Sequence, residues 1–367
     1  MTRRDAIHAG IGTLGATAAQ AQDGPVRVGI VGIGNRSKAH WGALAKMSEA
    51  KMVALADLES QRMKAVDEKL GIKTAHYTDY QEMLKDKNVQ VVAIVTPGYL
   101  HKDMAVAAMR AGKDVMLEKP FGINYREALE IQREAKRTGR VLAVCMQRRY
   151  SVPDATTRWA IEQGRIGAIR LIDCTELRGD WFAGGWQYTD PKTGAKKNWR
   201  MVKAAAGSTE LEFSVHAFAE IASLVKSPLA RLSATGGVVH YKDRDTRDVS
   251  SLIADFANGV RLNYSFSCFA AGGGNSFTVV GDNGVLTRER GKILISTGRG
   301  APQAVEAPPG ISREDAEIQL YRDLFKSMRD RSQPALGPDA AMEPAKIAFA
   351  AEISITENRI VTARDFA

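Results

Sequence analysis

A strand, a glycine-rich turn and a helix follow one another near the N-terminal end, and this order limits the folds open to the chain. The apolar strand Val26–Val31 runs into a turn that contains Gly32 and Gly34, and a helix opens at Ser37. A second apolar strand ends at Asp57, about twenty residues further on. The glycines permit a tight turn and let backbone amides approach a pyrophosphate at the helix N-terminus. The pattern is typical of a Rossmann domain that binds a dinucleotide.

The acidic residue at the end of the second strand indicates which dinucleotide is bound. A carboxylate at this point accepts hydrogen bonds from the adenosine ribose hydroxyls and repels a 2′-phosphate. Asp57 therefore favours NAD over NADP, although Arg36 and Arg62 would weaken that preference. Asn35 and Ser37 complete the expected cofactor-binding turn, and Ser37 is small enough for close helix–strand packing. The alternative is a Rossmann-like domain that binds no nucleotide.

Strands and helices continue to alternate up to residue 148. Further apolar strands are expected at 89–95, 114–117 and 140–146, with helices at 60–70, 101–111 and 125–138. Alternation of this kind predicts a parallel, doubly wound sheet. The fold class is therefore α/β, with an N-terminal Rossmann domain over residues 24–148.

From about Arg149 the pattern changes to that of antiparallel strands. Residues 179–200 are expected to form a long loop, and a strong helix follows at 211–225. Asn258-Gly259 is a hairpin turn signal. The expected strands are 231–241, 249–256, 260–269, 276–281 and 285–289, and the closing helices are 314–331 and 340–358. Residues 149–367 should thus form a substrate-binding α+β domain with a large, mainly antiparallel open sheet, its C-terminal helix packing back toward the Rossmann domain.

Charge and cysteine content argue against several classes of function. The net charge is +9, but Lys and Arg are dispersed and accompany no recognition motif, so nucleic-acid binding is not expected. The three cysteines, Cys145, Cys174 and Cys268, show no metal-ligand spacing, so no metal is expected. Past the N-terminal segment, the sequence contains no stretch apolar enough for a membrane anchor.

The first 21 residues look like an export leader. Arg3-Arg4 precedes a weakly apolar run rich in Gly and Ala, and Ala19-Gln20-Ala21 fits a cleavage site of the small-x-small type. This pattern indicates a twin-arginine signal peptide over residues 1–21 and a periplasmic destination. A cytoplasmic protein with a disordered N-terminal tail is the alternative.

Five short segments of the sequence follow one another in a specific order and spacing. They are VRVGIVGIGNRSKAH (26–40), VALAD (53–57), VAIVTPGYLH (92–101), AGKDVMLEKP (111–120) and QRRY (147–150), completed by a helix that carries His216. With these segments the chain resembles the glucose–fructose oxidoreductase / inositol dehydrogenase (Gfo/Idh/MocA) family, as an exported member. The resemblance covers nearly everything after the leader.

The resemblance implies further cofactor contacts. In this family a Thr-Pro turn and the following His border the cofactor, which points to Thr96, Pro97 and His101. The Arg-Arg-Tyr turn lies beside the cofactor at the domain junction, which implicates Arg148 and, as a substrate contact, Tyr150.

The same resemblance implies the catalytic residues. Glu118 and Lys119 stand where the family contacts the nicotinamide ribose and the substrate. The family's Asp and His, four residues apart, correspond to Glu212 and His216, which the spacing places on one face of a helix. A solvated loop lysine and a structural histidine are the alternatives for Lys119 and His216.

Aromatic residues of the predicted loop are candidate substrate contacts. Trp181 and Trp199 are suited to stacking on the apolar face of a pyranose, and Arg200 would add hydrogen bonds. Ordinary packing is the alternative for both tryptophans.

Together these residues predict an NAD-dependent oxidoreductase that acts on a secondary hydroxyl of a sugar, cyclitol or glycoside. Lys119 would stabilise the developing alkoxide, and the proton would leave toward His216 or Lys119. The main alternative is a redox-neutral glycoside hydrolase that keeps NAD tightly bound and oxidises the ring transiently. A non-catalytic nucleotide or sugar sensor is a third. The resemblance also implies a homodimer or homotetramer formed through the C-terminal sheet.

Overall fold

The folded part of the chain divides into two domains. A computed structural model describes residues 24–179, 187–270, 273–289 and 291–366. The expected leader (1–21) and Trp181 lie outside the described residues. Within these ranges, none of the helices has the length and apolarity needed to cross a membrane.

Six parallel strands form the sheet of the first domain, which confirms the predicted Rossmann fold. Their order across the sheet is β3-β2-β1-β4-β5-β6. The strands are β1 (Val26–Val31), β2 (Ala50–Ala56), β3 (Ala75–Tyr77), β4 (Val91–Ile94), β5 (Asp114–Glu118) and β6 (Leu142–Cys145). The helices between them are α1 (Ser37–Leu44), α2 (Ser60–Leu70), α3 (Tyr80–Lys85), α4 (His101–Arg110) and α5 (Tyr125–Thr138).

The central strands are apolar because helices cover both faces of the sheet. All four residues of β4 and all five of β5 are buried, including the carboxylate of Glu118. The chain reverses its order across the sheet between β1 and β4, and ligands of doubly wound sheets bind at such a point, outside the carboxyl ends of the strands. The turns that follow β1, β4 and β5 therefore meet at one edge.

The sequence prediction missed β3 and α3. β3 has only three residues, pairs with β2 at the edge of the sheet, and exposes Ala75 and His76. A strand this short shows no measurable hydrophobic period. The miss does not affect the site, because β3 lies at the far edge from β5.

The second domain contains a nine-stranded sheet, as expected for its α+β class. The strand order is β16-β15-β14-β13-β7-β12-β11-β10-β17. The strands are β7 (Ile169–Leu177), β10 (Leu229–Gly237), β11 (Val249–Phe256), β12 (Arg261–Ser267), β13 (Gly274–Gly281), β14 (Val285–Glu289), β15 (Lys292–Ser296), β16 (Gln303–Ala304) and β17 (Val361–Thr362). The helices are α6 (Val152–Glu162), α7 (Lys203–Ala206), α8 (Val215–Val225), α9 (Ala316–Asp330) and α10 (Pro338–Glu357).

The sheet is mixed because β7 runs parallel to β12, whereas the other pairs of strands described in this sheet are antiparallel. The sequence prediction did not include β7, although it lies in the middle of this sheet. The turn signal at Asn258-Gly259 does join the antiparallel strands β11 and β12, and a turn at 282–284 joins β13 to β14. One face of the sheet packs against α8 and α10.

The predicted long loop at 179–200 needs correction. Its described part contains the antiparallel strands β8 (Gln187–Thr189) and β9 (Lys196–Asn198), followed by a 3₁₀ turn at Trp199–Met201. Three-residue strands rich in Lys and Gln lack the apolar alternation by which strands are recognised.

The two domains share helix contacts and hydrogen bonds. α9 packs on α1, β5 and β6, and α10 packs on α5. The Tyr321 hydroxyl lies 2.8 Å from Nδ1 of the buried His40. In addition, the amide of Val144 in β6 donates to the carbonyl of Leu336, at 2.8 Å. The C-terminal part of the chain thus forms one wall of the Rossmann domain.

Candidate active site

A cavity of about 1120 Å³ lies between the carboxyl ends of the Rossmann strands and the second domain. Most of the site residues predicted from the sequence line it. They are Gly34, Asn35, Arg36, Thr96, Pro97, Glu118 and Lys119 from the first domain, and Trp199, Arg200, Glu212 and His216 from the second. The structure therefore brings the predicted cofactor turn and the predicted catalytic residues to one space.

The turn after β1 has the geometry that a pyrophosphate requires. Gly32 adopts φ +87°, and a Cβ there would lie 2.8 Å from the carbonyl oxygen of Val95, so only glycine fits. A Cβ on Gly34 would meet no atom within 4 Å, because this glycine opens on the cavity. The buried Ser37 hydroxyl donates to the Gly34 carbonyl at 2.7 Å and closes the turn. No side chain caps α1, and the amides of Ser37, Lys38 and Ala39 donate within the turn to carbonyls, at 3.2, 3.4 and 3.1 Å. The start of the helix therefore offers an anion chiefly the positive end of the helix dipole.

Asp57 fixes the turn from the end of β2. Its carboxylate accepts hydrogen bonds from the amides of Ile33, at 2.6 Å, and Glu59, at 2.9 Å. A carboxylate has about four acceptor positions, so capacity remains for ribose hydroxyls. Arg62 pairs with Glu59 at 2.7 Å rather than standing alone. This arrangement supports the predicted preference for NAD.

Glu118 is a buried carboxylate surrounded by cations and donors. Arg36 donates to it at 2.5 Å, and Nε2 of His40 lies 3.0 Å from the same oxygen. Burial alone would raise the pKa of Glu118, but the hydrogen bond from His40 and the charge of Arg36 hold that pKa well below its usual range. Arg36 also pairs with Glu317 of α9 at 2.9 Å. Arg36, which was expected to weaken the preference for NAD, is thus paired with two carboxylates.

Lys119 is held by Glu212 across the domain junction. Its ammonium lies 3.0 Å from Oε1 of Glu212 and donates to the Glu212 carbonyl at 2.7 Å. Arg200 donates to the same Oε1 at 2.8 Å, and its guanidinium lies 4.6 Å from the Trp199 ring centroid. Only 3% of Glu212 is exposed, so this pairing is largely shielded from water.

The helix that carries Glu212 begins with a π-helical turn, Glu210–Ser214, before α8. Such turns occur often at functional sites. Glu212 and His216 both reach the cavity, as the four-residue spacing predicts.

His216 faces the cavity as a neutral imidazole. Its Nδ1 is buried and, within the described residues, has no hydrogen-bond partner. Burial, reinforced by the charges of Lys119 and Arg148, holds the pKa of His216 well below its usual value of 6.5. An imidazole that stays unprotonated at neutral pH can accept a proton from a hydroxyl.

Besides Gly32, Ser37 and Asp57, which shape the cofactor turn, three other predicted residues lie away from the cavity wall. His101 is fully buried, and its ring nitrogens lie 2.9 Å from the carbonyls of Thr96 and Pro120, so it ties the turn after β4 to the turn after β5. Arg148 lies 3.3 Å from the buried Glu176. The Tyr150 hydroxyl donates to Asp323 at 2.9 Å and borders a separate cavity of about 310 Å³.

The residues on one side of the cavity were not predicted from the sequence. Arg178 follows β7 and donates to Glu176 at 2.8 Å, while Gln187, Thr189 and Lys196 come from the β8–β9 ribbon. Arg178 directly follows β7, so it was not predicted once that strand had not been recognised.

Two family models match this chain. Residues 26–146 match the model described as an oxidoreductase family with an NAD-binding Rossmann fold, and residues 154–287 match the GFO/IDH/MocA C-terminal domain. The chain belongs to the GFO/IDH/MocA family. The resemblance expected from the sequence is confirmed, and the first domain of this GFO/IDH/MocA protein is an NAD-binding Rossmann domain.

Curated relatives match the N-terminal part of this GFO/IDH/MocA protein. Inositol 2-dehydrogenase of Salmonella paratyphi B is 34% identical over 149 residues, which are 40% of this chain and 44% of that enzyme. Myo-inositol 2-dehydrogenase of Thermotoga maritima is 28% identical over 150 residues, 41% of this chain and 45% of that enzyme. The match therefore spans less than half the length of these relatives.

Solved structures of other proteins share the fold over both domains. Levoglucosan dehydrogenase in complex with NADH has a TM-score of 0.79 at 22% identity, and the match covers 92% of this chain and 99% of that one. Aldose-aldose oxidoreductase from Caulobacter crescentus has the same TM-score at 19% identity and the same coverage. At these identities the likeness shows the fold alone.

Proposed function

We propose that this protein is an NAD-dependent oxidoreductase that acts on a secondary hydroxyl of a sugar or cyclitol. The observation that carries the proposal is the convergence of Lys119, Glu212 and His216 on the cavity into which the Gly34 turn opens. The activities of a relative, inositol 2-dehydrogenase, and of a structural neighbour, levoglucosan dehydrogenase, support this substrate class.

The residues of the first domain fit NAD. The Gly34 turn and the uncapped start of α1 would bind its pyrophosphate, and Asp57 its adenosine ribose. Thr96 and Pro97 would border the nicotinamide half, beside Glu118. When bound, NAD accepts a hydride from the carbon that carries the hydroxyl.

The chain's own groups handle the proton and the charge. His216 is neutral and faces the cavity, so it accepts the proton from the substrate hydroxyl. The Lys119 ammonium stabilises the negative charge that develops on the oxygen. Glu212 fixes the position of that ammonium through its carboxylate and its carbonyl. His216 is thus the base and Lys119 the electrostatic stabiliser.

Absorbance at the NADH band during incubation with NAD and a panel of sugars and cyclitols tests the proposal. A stoichiometric rise with at least one polyol is expected. Release of coloured aglycone from a nitrophenyl glycoside, with no NADH formed from any polyol, would instead establish the redox-neutral hydrolase. The activities of the two inositol dehydrogenases favour the dehydrogenase.

Export and assembly are part of the proposal. Arg3-Arg4 and the small-residue site at Ala19–Ala21 support export by the twin-arginine route to the periplasm. Cell fractionation tests this, with Arg3→Lys/Arg4→Lys as the variant expected to stay in the cytoplasm.

The nine-stranded sheet, whose outward Ile253 is exposed, supports a homodimer or homotetramer formed through that face. Sedimentation of wild type against Ile253→Asp tests the assembly.

A further inference from the structure

The cavity is divided by charge into two unequal halves. In the cofactor half each arginine is matched by acid: Arg62 pairs with Glu59, and Arg36 pairs with Glu118 and Glu317. This half is therefore close to electrically balanced before any ligand enters.

The substrate half carries an excess of positive charge. Among the described residues, Lys119, Arg178, Lys196 and Arg200 line it together with a single carboxylate, Glu212. That one carboxylate oxygen already serves both Lys119 and Arg200, whereas Arg178 pairs with Glu176. Lys196 is exposed, but the other three cations are partly buried. Partly buried cations that outnumber the acids are costly, because counter-charge replaces only part of the hydration that they have lost. The surplus is explained if the ligand brings the missing negative charge.

Arg178 is the cation best prepared for an anion. One terminal nitrogen is fixed by Glu176 at 2.8 Å, and Glu176 is itself held by the Tyr264 hydroxyl at 2.8 Å. The Nε of Arg178 is buried and, in the part of the chain that the structure describes, has no hydrogen-bond partner. Its guanidinium also lies 6.0 Å from the Phe213 ring centroid. The side chain is thus held in place with a donor left unused.

We propose that the substrate is an anionic carbohydrate whose acidic group binds Arg178 while a ring or chain hydroxyl lies between Lys119 and His216. This inference rests on the proposed oxidoreductase function and narrows its substrate class. Arg200 and Lys196 add long-range attraction, which raises the association rate of an anion at low salt. The acidic group is a carboxylate or a phosphate, since guanidinium binds both.

Matched substrates separate the two sources of negative charge. D-glucose, D-glucuronate and D-glucose 6-phosphate share most of a scaffold and differ in charge, as do myo-inositol and its monophosphates. We expect kcat/KM for the best anionic compound to exceed that of its neutral counterpart at least tenfold, and its KM to rise with ionic strength. The preferred member identifies carboxylate or phosphate. Equal or better use of the neutral sugars would overturn the inference while leaving the oxidoreductase proposal intact.

Variants at Arg178 test its part directly. Arg178→Gln should raise KM for the anionic substrate about tenfold to a hundredfold, a larger loss than for the neutral counterpart, with the Kd for NAD changed less than about twofold. Arg178→Lys should recover part of the loss because it keeps the charge. Arg170→Gln is the matched control, since Arg170 is exposed and pairs with Asp282 outside the cavity. If Arg178→Gln weakened NAD and both sugars alike, the arginine would not be an anion site and the inference would fail.

Calorimetric titration of the same sugars into the protein with NADH present keeps the two proposals apart. Anion-selective binding without NADH-linked turnover of any sugar would overturn the oxidoreductase function and support the ligand class. Turnover of neutral sugars with no anion-selective binding would support the oxidoreductase function and overturn the anionic ligand class.

Discussion

Two clusters of charged residues lie on either side of Arg178, and they differ in balance. The cluster behind it, which we call the junction cluster, contains three carboxylates and three arginines: Asp154, Glu176, Glu220, Arg148, Arg178 and Arg288. The cluster in front of it, the cavity cluster, contains Lys119, Arg178, Lys196 and Arg200 and, among the described residues, one carboxylate, Glu212. The junction cluster is balanced in formal charge, whereas the cavity cluster contains more cations than acids.

The difference separates buried charges that stabilise the fold from those that line the cavity and are available to a ligand. In the junction cluster Arg288 contacts Glu220 at 2.6 Å and Asp154 at 2.9 Å. Burial would lower the pKa of Arg148, but the charges of Asp154, Glu176 and Glu220 raise it. Removal of a residue that belongs to the junction cluster alone, such as Arg288, should damage folding. Removal of a residue that lines the cavity should damage catalysis or binding instead.

The largest expected effect is on turnover. Lys119→Met removes the cation that stabilises the developing alkoxide, so kcat should fall about 10²–10³-fold, equivalent to about 3–4 kcal/mol. NAD binding, measured by fluorescence quenching, should change little. Lys226→Met is the matched control, because Lys226 is exposed and pairs only with Glu162 on the surface. Near-wild-type turnover in Lys119→Met would show that this residue of the cavity cluster is not needed for catalysis.

The next effect should be on stability. Arg288→Met leaves the carboxylates of Asp154 and Glu220 without their nearest cation, which should lower the free energy of unfolding by about 3 kcal/mol. Urea titration at pH 7 measures the loss, and kcat at 20 °C should stay within about twofold of wild type.

The same variant has a pH signature. Burial and the charge of Asp154 already raise the pKa of Glu220 against the influence of Arg288. Without Arg288 that pKa should rise further above the unfolded value, so the variant is least stable at high pH and recovers as acid protonates the carboxylate. The exposed Arg261→Met serves as control. A kcat loss without a stability loss would show that the junction cluster is part of the catalytic machinery.

A third, smaller effect tests the cofactor half of the cavity. Asp57→Asn keeps an acceptor for the Ile33 amide but removes the charge that disfavours a 2′-phosphate. The ratio of the NADP and NAD dissociation constants should move about tenfold toward NADP, or about 1.4 kcal/mol. Titration of both dinucleotides measures it. An unchanged ratio would assign the preference to another part of the turn.

The smallest expected effect is a flat pH profile. The pKa of His216 is lowered by burial and by the cations around it, so the imidazole stays neutral and kcat/KM for oxidation should change less than about twofold between pH 6.5 and 8. The acidic limb should appear only well below pH 6.5. In Lys119→Met the residual rate should show that limb at higher pH, because a depressing charge is gone. A wild-type limb centred above pH 6.5 would contradict the neutral base.

The part of the site predictable from the sequence is the part specified locally. Gly32, Gly34 and Asp57 sit on turns whose geometry depends on adjacent residues and on long buried strands. Glu118 and Lys119 end another such strand. Each could therefore be placed without knowledge of the second domain.

The remainder depends on contacts between distant residues and on weak strands. The ion pair of Arg36 with Glu118 joins positions 82 residues apart, and no spacing rule predicts it. Arg178 was missed with β7, whose partly exposed residues mask the apolar alternation. The β8–β9 ribbon is too short and too polar to predict. Arg148 and His101, which the family resemblance implied as cofactor contacts, lie behind the cavity wall, where they contact Glu176 and the carbonyls of Thr96 and Pro120.

The hydrogen bond from Val144 to Leu336 bears on how the two halves of this chain can be separated. β6 is the last strand of the Rossmann sheet, and Leu336 covers its outer edge. A fragment ending at residue 148 would hold every strand of that sheet yet present an uncovered edge, ready to pair with a second copy. All strands of the nucleotide-binding domain therefore precede residue 148, but the edge of its last strand is covered by a residue almost two hundred positions later. We expect the isolated domain to be less soluble without that residue.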